Sequence, residues 1–355
     1  MDKTVHISTY CTSGSYGSIL QALGLKLALK ELGYDSCVEQ IGAASRKMPI
    51  FHLQGNGIKG KLALLLSYLM FPKLYRKYAG TQRFLAQNMD TKYYANLEQM
   101  RQALREEQLF LAGSDQIWNP KIDAPQFFLE FAPEHAKKMS YAASMGILEI
   151  PVEKEALFAK RIQNLDWISV READNISVLS KYTDADISVH IDPSFLCSKT
   201  QWQSYQRMYP IKHPYILVYP LHWDKKWNSD LKRLHELTGK PIVVLADHRR
   251  NIYGNKWLYD VDLGNFLWLI DHADAVVSSS FHGVAMAINY NKPVLPMVNP
   301  DAPSRISSLL QCLSYPDVTP EMVASGTGID YMRINRRMAE EKERSMSFLK
   351  EMLES

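Results

Sequence analysis

GSYGSILQALGLKLALKELG, from Gly14 to Gly33, separates two short apolar segments, VHISTY at 5–10 and SCVEQI at 36–41. Its apolar residues Ile19, Leu20, Leu23, Leu25, Leu27, Leu29 and Leu32 predict a largely buried helix, which Gly33 ends. The flanking segments read as strands. A strand, a glycine-bearing loop, a buried helix and a second strand form the opening unit of a doubly wound α/β fold.

Moving outward, the same alternation recurs. Residues 44–105 read as helical, with breaks at Gly55, Gly57, Gly60 and Pro72. Strands are expected at 109–112, 138–142, 167–170 and 187–191, with helices at 154–163 and 173–180. A second unit starts near Pro214, with strands at 215–219, 242–246, 275–278 and 293–297. The expectation is an α/β, GT-B-like chain of two Rossmann-like domains facing a cleft. Residues 1–205 make the first domain, with a basic helical insertion at about 44–105. Residues 206–332 make the second, and 333–355 a terminal helix packing back on the first. In such sheets ligands sit at the carboxyl ends of strands. The polar clusters of this chain fall at those places.

Composition narrows the class. Of 355 residues, 46% are apolar and 22% charged, which excludes disorder and fibrous repeats. A net charge of +3, from 41 basic and 38 acidic residues, carries no nucleic-acid signature. Cys11, Cys37, Cys197 and Cys312 are scattered without a CxxC, so no metal site is expected and free thiols fit a reducing compartment. The N-terminus has no apolar core of a signal peptide, and the run LALLLSYLMF at 62–71 is half a membrane span. A cytoplasmic protein is expected. Residues 40–89 hold eight Lys or Arg and no Asp or Glu: Arg46, Lys47, Lys59, Lys61, Lys73, Arg76, Lys77 and Arg83. Such a block reads either as a solvated helix face or as a docking face for the inner membrane surface.

Several clusters carry candidate chemistry, each with a plainer alternative. Gly14, Tyr16, Gly17 and Ser18 open a helix after a strand. That start can cradle an anion, or it is only a tight turn. Ser114, Asp115 and Gln116 follow a strand; Asp115 is either a helix N-cap or an acid or base in the cleft. Arg171 ends a strand, placed to grip carboxylate or phosphate, or to pair with Glu172 or Asp174. Ser279, Ser280, Phe281, His282 and Gly283 join a strand to a helix. There His282 binds phosphate or moves a proton, or is a capping or core histidine. His213, His222, Asp247 and His248 read as solvated loop residues.

Six segments resemble the polysaccharide pyruvyl transferase family: GSYGSILQALGLKLALKELGYD, GSDQIWNP, SYAASMG, SVREADNISVL, DPSFL before a Trp, and SSSFHGVAMAINYNKPV. The resemblance implies a GT-B-like fold, phosphoenolpyruvate as donor without further cofactor, and a saccharide or lipid-linked saccharide acceptor that gains a pyruvate ketal. By motif the family's Arg after the strand is Arg171 and its His before Gly is His282. The chemistry of ketal formation then leads us to expect Arg171 as anion clamp, His282 as phosphate ligand or general acid, and Asp115 as general base or acceptor ligand. Two positions depart from the family pattern. Ser280 replaces an Arg two residues before the His, leaving Arg305 or a Lys as substitute, and Ser18 replaces an Asp. Two other functions fit the fold class: a glycosyltransferase using a nucleotide sugar, and a non-catalytic sugar-binding protein.

Overall fold

The computed structural model describes residues 4–12, 14–42, 71–247, 251–298 and 304–355. The first half contains β1 (Thr4–Ser8), α1 (Tyr16–Glu31), β2 (Asp35–Ile41), α2 (Pro72–Asn88), β3 (Thr91–Tyr94), α3 (Leu97–Ala103), β4 (Leu109–Ala112), β5 (Lys137–Ser140), α4 (Val152–Ile162), β6 (Ile168–Val170), α5 (Asp174–Leu179) and β7 (Ile187–Val189). Its strands pair in parallel in the order β3-β2-β1-β4-β5. The parallel pair β6-β7 joins the β5 side through bridges from Met139 to Trp167 and from Ala143 to Val170.

After α6 (Lys199–Gln203), the second half repeats the plan. It contains β8 (Ile216–Tyr219), α7 (Asn228–Thr238), β9 (Ile242–Leu245), β10 (Lys256–Leu258), α8 (Leu263–His272), β11 (Ala275–Ser278), α9 (Phe281–Asn289), β12 (Val294–Pro296), α10 (Ser304–Cys312), α11 (Pro320–Ser325) and α12 (Tyr331–Glu354). Its sheet is parallel in the order β10-β9-β8-β11-β12. Each half therefore has the doubly wound order 3-2-1-4-5, and the chain is an α/β protein of two Rossmann-like units. Strands such as LFLA in β4 and AVVS in β11 are apolar without alternation because helices cover both faces of a parallel sheet.

The two units meet along α1. One apolar cluster includes Ile7 and Leu20 of the first unit and Leu217, Phe266 and Val284 of the second. Gly24 lets α1 lie against the Pro193 carbonyl, which a Cβ would overlap. The helix α12 returns over the first unit. There Phe348 stacks on His190 at 4.1 Å and meets Trp167 edge-on at 5.9 Å.

Two expectations change. The stretch 44–105 is not uniformly helical among its described residues, since β3 pairs with β2 from Val38 opposite Thr91 to Ile41 opposite Tyr94. Residues 44–70, with Arg46, Lys47, Lys59, Lys61 and nearly all of the 62–71 run, lie outside the described residues. On α2 the basic residues are not one solvated face. Lys77 is buried and paired with Asp247, and Arg76 lies 3.7 Å from Asp260. Among the described residues no helix is long and apolar enough to cross a membrane.

Candidate active site

The site is built from strand ends. Past β4 the chain turns sharply at Asp115, which adopts φ 74° and bridges to Ala143. No helix follows it, so the N-cap alternative does not hold; its Oδ1 accepts from its neighbour's Gln116 N–H at 2.8 Å. Past β6 comes Arg171, and past β7 comes Asp192. From the other unit, α9 begins at Phe281 with Ser280 as N-cap. His282 thus sits in the first helical turn and is buried, where the sequence placed it in a loop.

Asp192 is the centre. One oxygen, Oδ2, accepts from Arg171 Nη1 at 2.8 Å and from Ser114 Oγ at 3.2 Å, and lies 3.6 Å from His282 Nε2. The other, Oδ1, accepts from the Ser194 N–H at 2.9 Å. Burial disfavours the carboxylate, yet the charge of His282, then of Arg171, and the Ser194 N–H hold its pKa far below the usual range. Arg171 also donates from Nε to Glu172 Oε1 at 2.8 Å, and Asn175 donates to the other Glu172 oxygen at 2.9 Å. Burial alone would lower the Arg171 pKa, but Glu172, Asp192 and Asp115 together raise it, so the guanidinium stays charged. Its plane rests on the Phe281 ring, 4.1 Å from the centroid.

Arg305 completes the group. With the Gln116 amide oriented so that its oxygen faces the guanidinium, Arg305 Nε and Nη2 donate to it over 2.9 and 3.0 Å. Arg305 makes no ion pair with described residues. Burial, and then the charge of Arg171, lower its pKa, while Asp115 and Glu172 oppose that shift. A cavity of about 200 Å³ is lined by Arg171, Asp192, Phe281 and Arg305, and beyond them by Glu341 and Arg344 of α12. Two buried nitrogens of this cluster, Arg171 Nη2 and His282 Nε2, have no hydrogen-bond partner among the described residues.

The structure therefore brings together His282, Arg171, Asp115, Ser114, Gln116, Phe281 and Arg305. Gly17 belongs with them, because a Cβ there would overlap the His282 ring. Other expected contact residues are framework instead. Tyr16 is buried between the units, its hydroxyl donating to the Val261 carbonyl and its ring stacked on Phe266 at 4.5 Å. Ser18 is buried and closes its own loop, donating to Ser15 O at 3.0 Å. Ser279 Oγ fixes the 221–222 loop, accepting from both N–H groups at 3.1 Å. The Ser280 side chain accepts from the Gly283 N–H, and Gly283 makes room for Ser278 Oγ rather than for a ligand. Gly14 is exposed, with Tyr78 as its nearest neighbour.

Sequence reasoning missed Asp192 as a site residue. Its signal was the one used elsewhere, a polar residue directly past a strand, in Asp192-Pro193-Ser194. It also missed Asp247, taken as solvated, which pairs with Lys77 across the two units. Among the described residues no three His, Cys, Asp or Glu side chains converge as metal ligands.

Two Rossmann-like units that turn their strand ends toward one cleft, with guanidinium, imidazole and carboxylate groups converging there, define a GT-B-like protein. Solved structures share that fold at low identity. A putative UDP-N-acetylglucosamine 2-epimerase from Listeria monocytogenes matches with TM-score 0.53 and 11% identity over 97% of this chain and 91% of that one. The S. aureus MnaA–UDP co-structure matches with TM-score 0.51 and 13% identity over 97% and 95%. No curated protein matches the chain. The family model for polysaccharide pyruvyl transferase matches residues 16–301, and the chain belongs to that family. It is accordingly a transferase.

Proposed function

We propose that the chain forms a pyruvate ketal on a saccharide, with phosphoenolpyruvate as donor. One observation carries the choice of a small anionic donor. Among the described residues the buried Arg171 Nη2 and His282 Nε2 have no hydrogen-bond partner, and Arg305 beside them has no ion pair. Buried donors are nearly always satisfied, so two such nitrogens beside the Arg305 guanidinium call for an anionic acceptor. The cavity beside them suits a three-carbon phosphate ester.

In this reading Arg171 and Arg305 hold the carboxylate and phosphate of the donor. His282, 3.6 Å from Asp192, acts as the general acid and gives a proton to the donor's methylene carbon. That carbon becomes a methyl group and C2 becomes electrophilic. A sugar hydroxyl adds to C2 and passes its proton to Asp115, which makes no ion pair with described residues. The C2–O bond to phosphate breaks, and phosphate leaves with the proton from Asp115. The second hydroxyl then adds to C2 and returns a proton to His282. The products are the ketal, with its new carboxylate, and hydrogen phosphate. Preorganised charge where charge develops is the main source of such catalysis.

The test is incubation with phosphoenolpyruvate and a panel of lipid-linked and nitrophenyl glycosides. Mass spectrometry should show a glycoside gaining one pyruvate less water, with phosphate released, and His282→Ala and Arg171→Ala should abolish it while remaining folded. Thermal stabilisation by UDP or GDP but not by phosphoenolpyruvate would replace this reading with a nucleotide-sugar glycosyltransferase.

A further inference from the structure

A second cluster lies outside the donor cavity, at the mouth between the units. Asp247 stands two residues past β9, and β9 is the second strand in the doubly wound order of its sheet. In folds of this kind a carboxylate near that place holds the hydroxyl pair of a ribose. Here the carboxylate is 46% exposed, and its Oδ1 pairs with Lys77, whose side chain is only 7% exposed. Among the described residues its Oδ2 has no partner.

Tyrosines surround this pair. The Lys77 ammonium lies 4.9 Å from the Tyr16 ring centroid and 5.7 Å from that of Tyr78. After burial, the charge of Asp247 is among the causes that raise the pKa of Tyr16, Tyr78 and Tyr219. Tyr219 in turn lies beside Gly283, one residue from His282. The cluster is thus continuous with the donor site through Tyr219 on one side and through α1 on the other.

We propose that Asp247, oriented by Lys77, is a hydroxyl-binding subsite for the acceptor saccharide. A carboxylate with one oxygen committed to an ammonium and the other open accepts hydrogen bonds from sugar hydroxyls. The pair as a whole is neutral, so it selects hydroxyls rather than a second anion. Lys77 comes from the first unit and Asp247 from the second, so the subsite exists only when the two units are packed together. The inference rests on the transferase reading above, since it supplies the acceptor which that reaction needs.

The experiment compares the wild type with Asp247→Asn and Lys77→Met under steady-state transfer. Asp247→Asn is expected to raise the acceptor KM about tenfold, with the phosphoenolpyruvate KM unchanged, a loss of the size expected for one charged hydrogen bond. Lys77→Met should raise the acceptor KM to a smaller extent. An unchanged acceptor KM in Asp247→Asn overturns the proposal. If the wild type does not use phosphoenolpyruvate at all, the donor reading fails separately, and the subsite is then judged by saturation-transfer NMR with a panel of methyl hexopyranosides. Binding by the wild type that disappears in Asp247→Asn supports it. Equal binding by both, or binding of UDP alone, overturns it.

Discussion

Gly17, in the first turn of α1, lies directly beneath the imidazole of His282, in the first turn of α9. Two helix starts from different units are thus in contact at the His282 ring. The absence of a side chain at Gly17 sets how deeply the imidazole can sit over α1.

Gly17→Ala tests that relationship. The backbone at this position is helical, so alanine introduces no conformational strain, and the atoms nearest the added methyl group are those of the His282 ring. Displacing a catalytic group by about 1 Å costs roughly 10²-fold in rate. We expect kcat for transfer to drop by about that factor with the fold intact by circular dichroism. The double variant Gly17→Ala/His282→Ala should be no slower than His282→Ala alone, because the methyl group acts only through the ring.

Tyr16→Phe separates framework from ligand contact. The sequence placed Tyr16 among the substrate-binding residues, whereas its hydroxyl donates to Val261 O and its ring stacks on Phe266. The variant keeps the stack and loses one buried interdomain hydrogen bond, about 1 kcal/mol. Chemical denaturation should show that loss, with both substrate KM values changed less than about twofold. A large rise in either KM would return Tyr16 to the ligand.

What could be read from the sequence, and what could not, follows from how local each feature is. Strands such as 275–278 and the buried helix after Ser18 are written in consecutive residues, so the two-unit plan was legible. The placement of Arg171 and His282 at strand ends was legible for the same reason. The short strand β3 was not, because TKYY becomes a strand only by pairing with β2, and helical breaks and formers dominate the sequence around it. The Lys77–Asp247 pair joins residues 170 positions apart, and no local pattern announces it. Asp192 was visible as a residue past a strand. Its role depends on four partners, from Ser114 to His282, that only the folded chain assembles.

His190 gives the protein an acid-sensitive joint. It is buried against Phe348, its Nδ1 lies 3.2 Å from Ser345 Oγ on α12, and burial, followed by the charge of Arg344, lowers its pKa to about 4. An unfolded histidine titrates near 6.5. Between those values the unfolded chain binds a proton that the folded chain refuses, so stability is full above about pH 6.5 and is lost as pH falls toward 4. The loss is on the order of 3 kcal/mol. His190→Phe keeps a ring against Phe348 and removes the titration. Denaturation at a series of pH values should show the wild type losing stability relative to His190→Phe across this window, and parallel curves would refute the assignment.

Arg305 and Arg171 present the opposite linkage, between charge and ligand. Burial and the Arg171 charge both disfavour the charged form of Arg305. A bound anion would relieve that repulsion. Arg305→Met keeps much of the apolar stem and removes the second cation, so the empty variant should be at least as stable as the wild type. Its response to ligand should differ sharply. At a concentration of 100 times Kd a ligand stabilises the wild type by about 2.7 kcal/mol. We expect phosphoenolpyruvate to raise the wild-type Tm by the corresponding amount, and to leave Arg305→Met nearly unmoved at the same concentration. If the variant shows the full shift, Arg305 is not the residue that takes the place of the arginine missing at Ser280, and the second cation for the donor must come from elsewhere in the cleft.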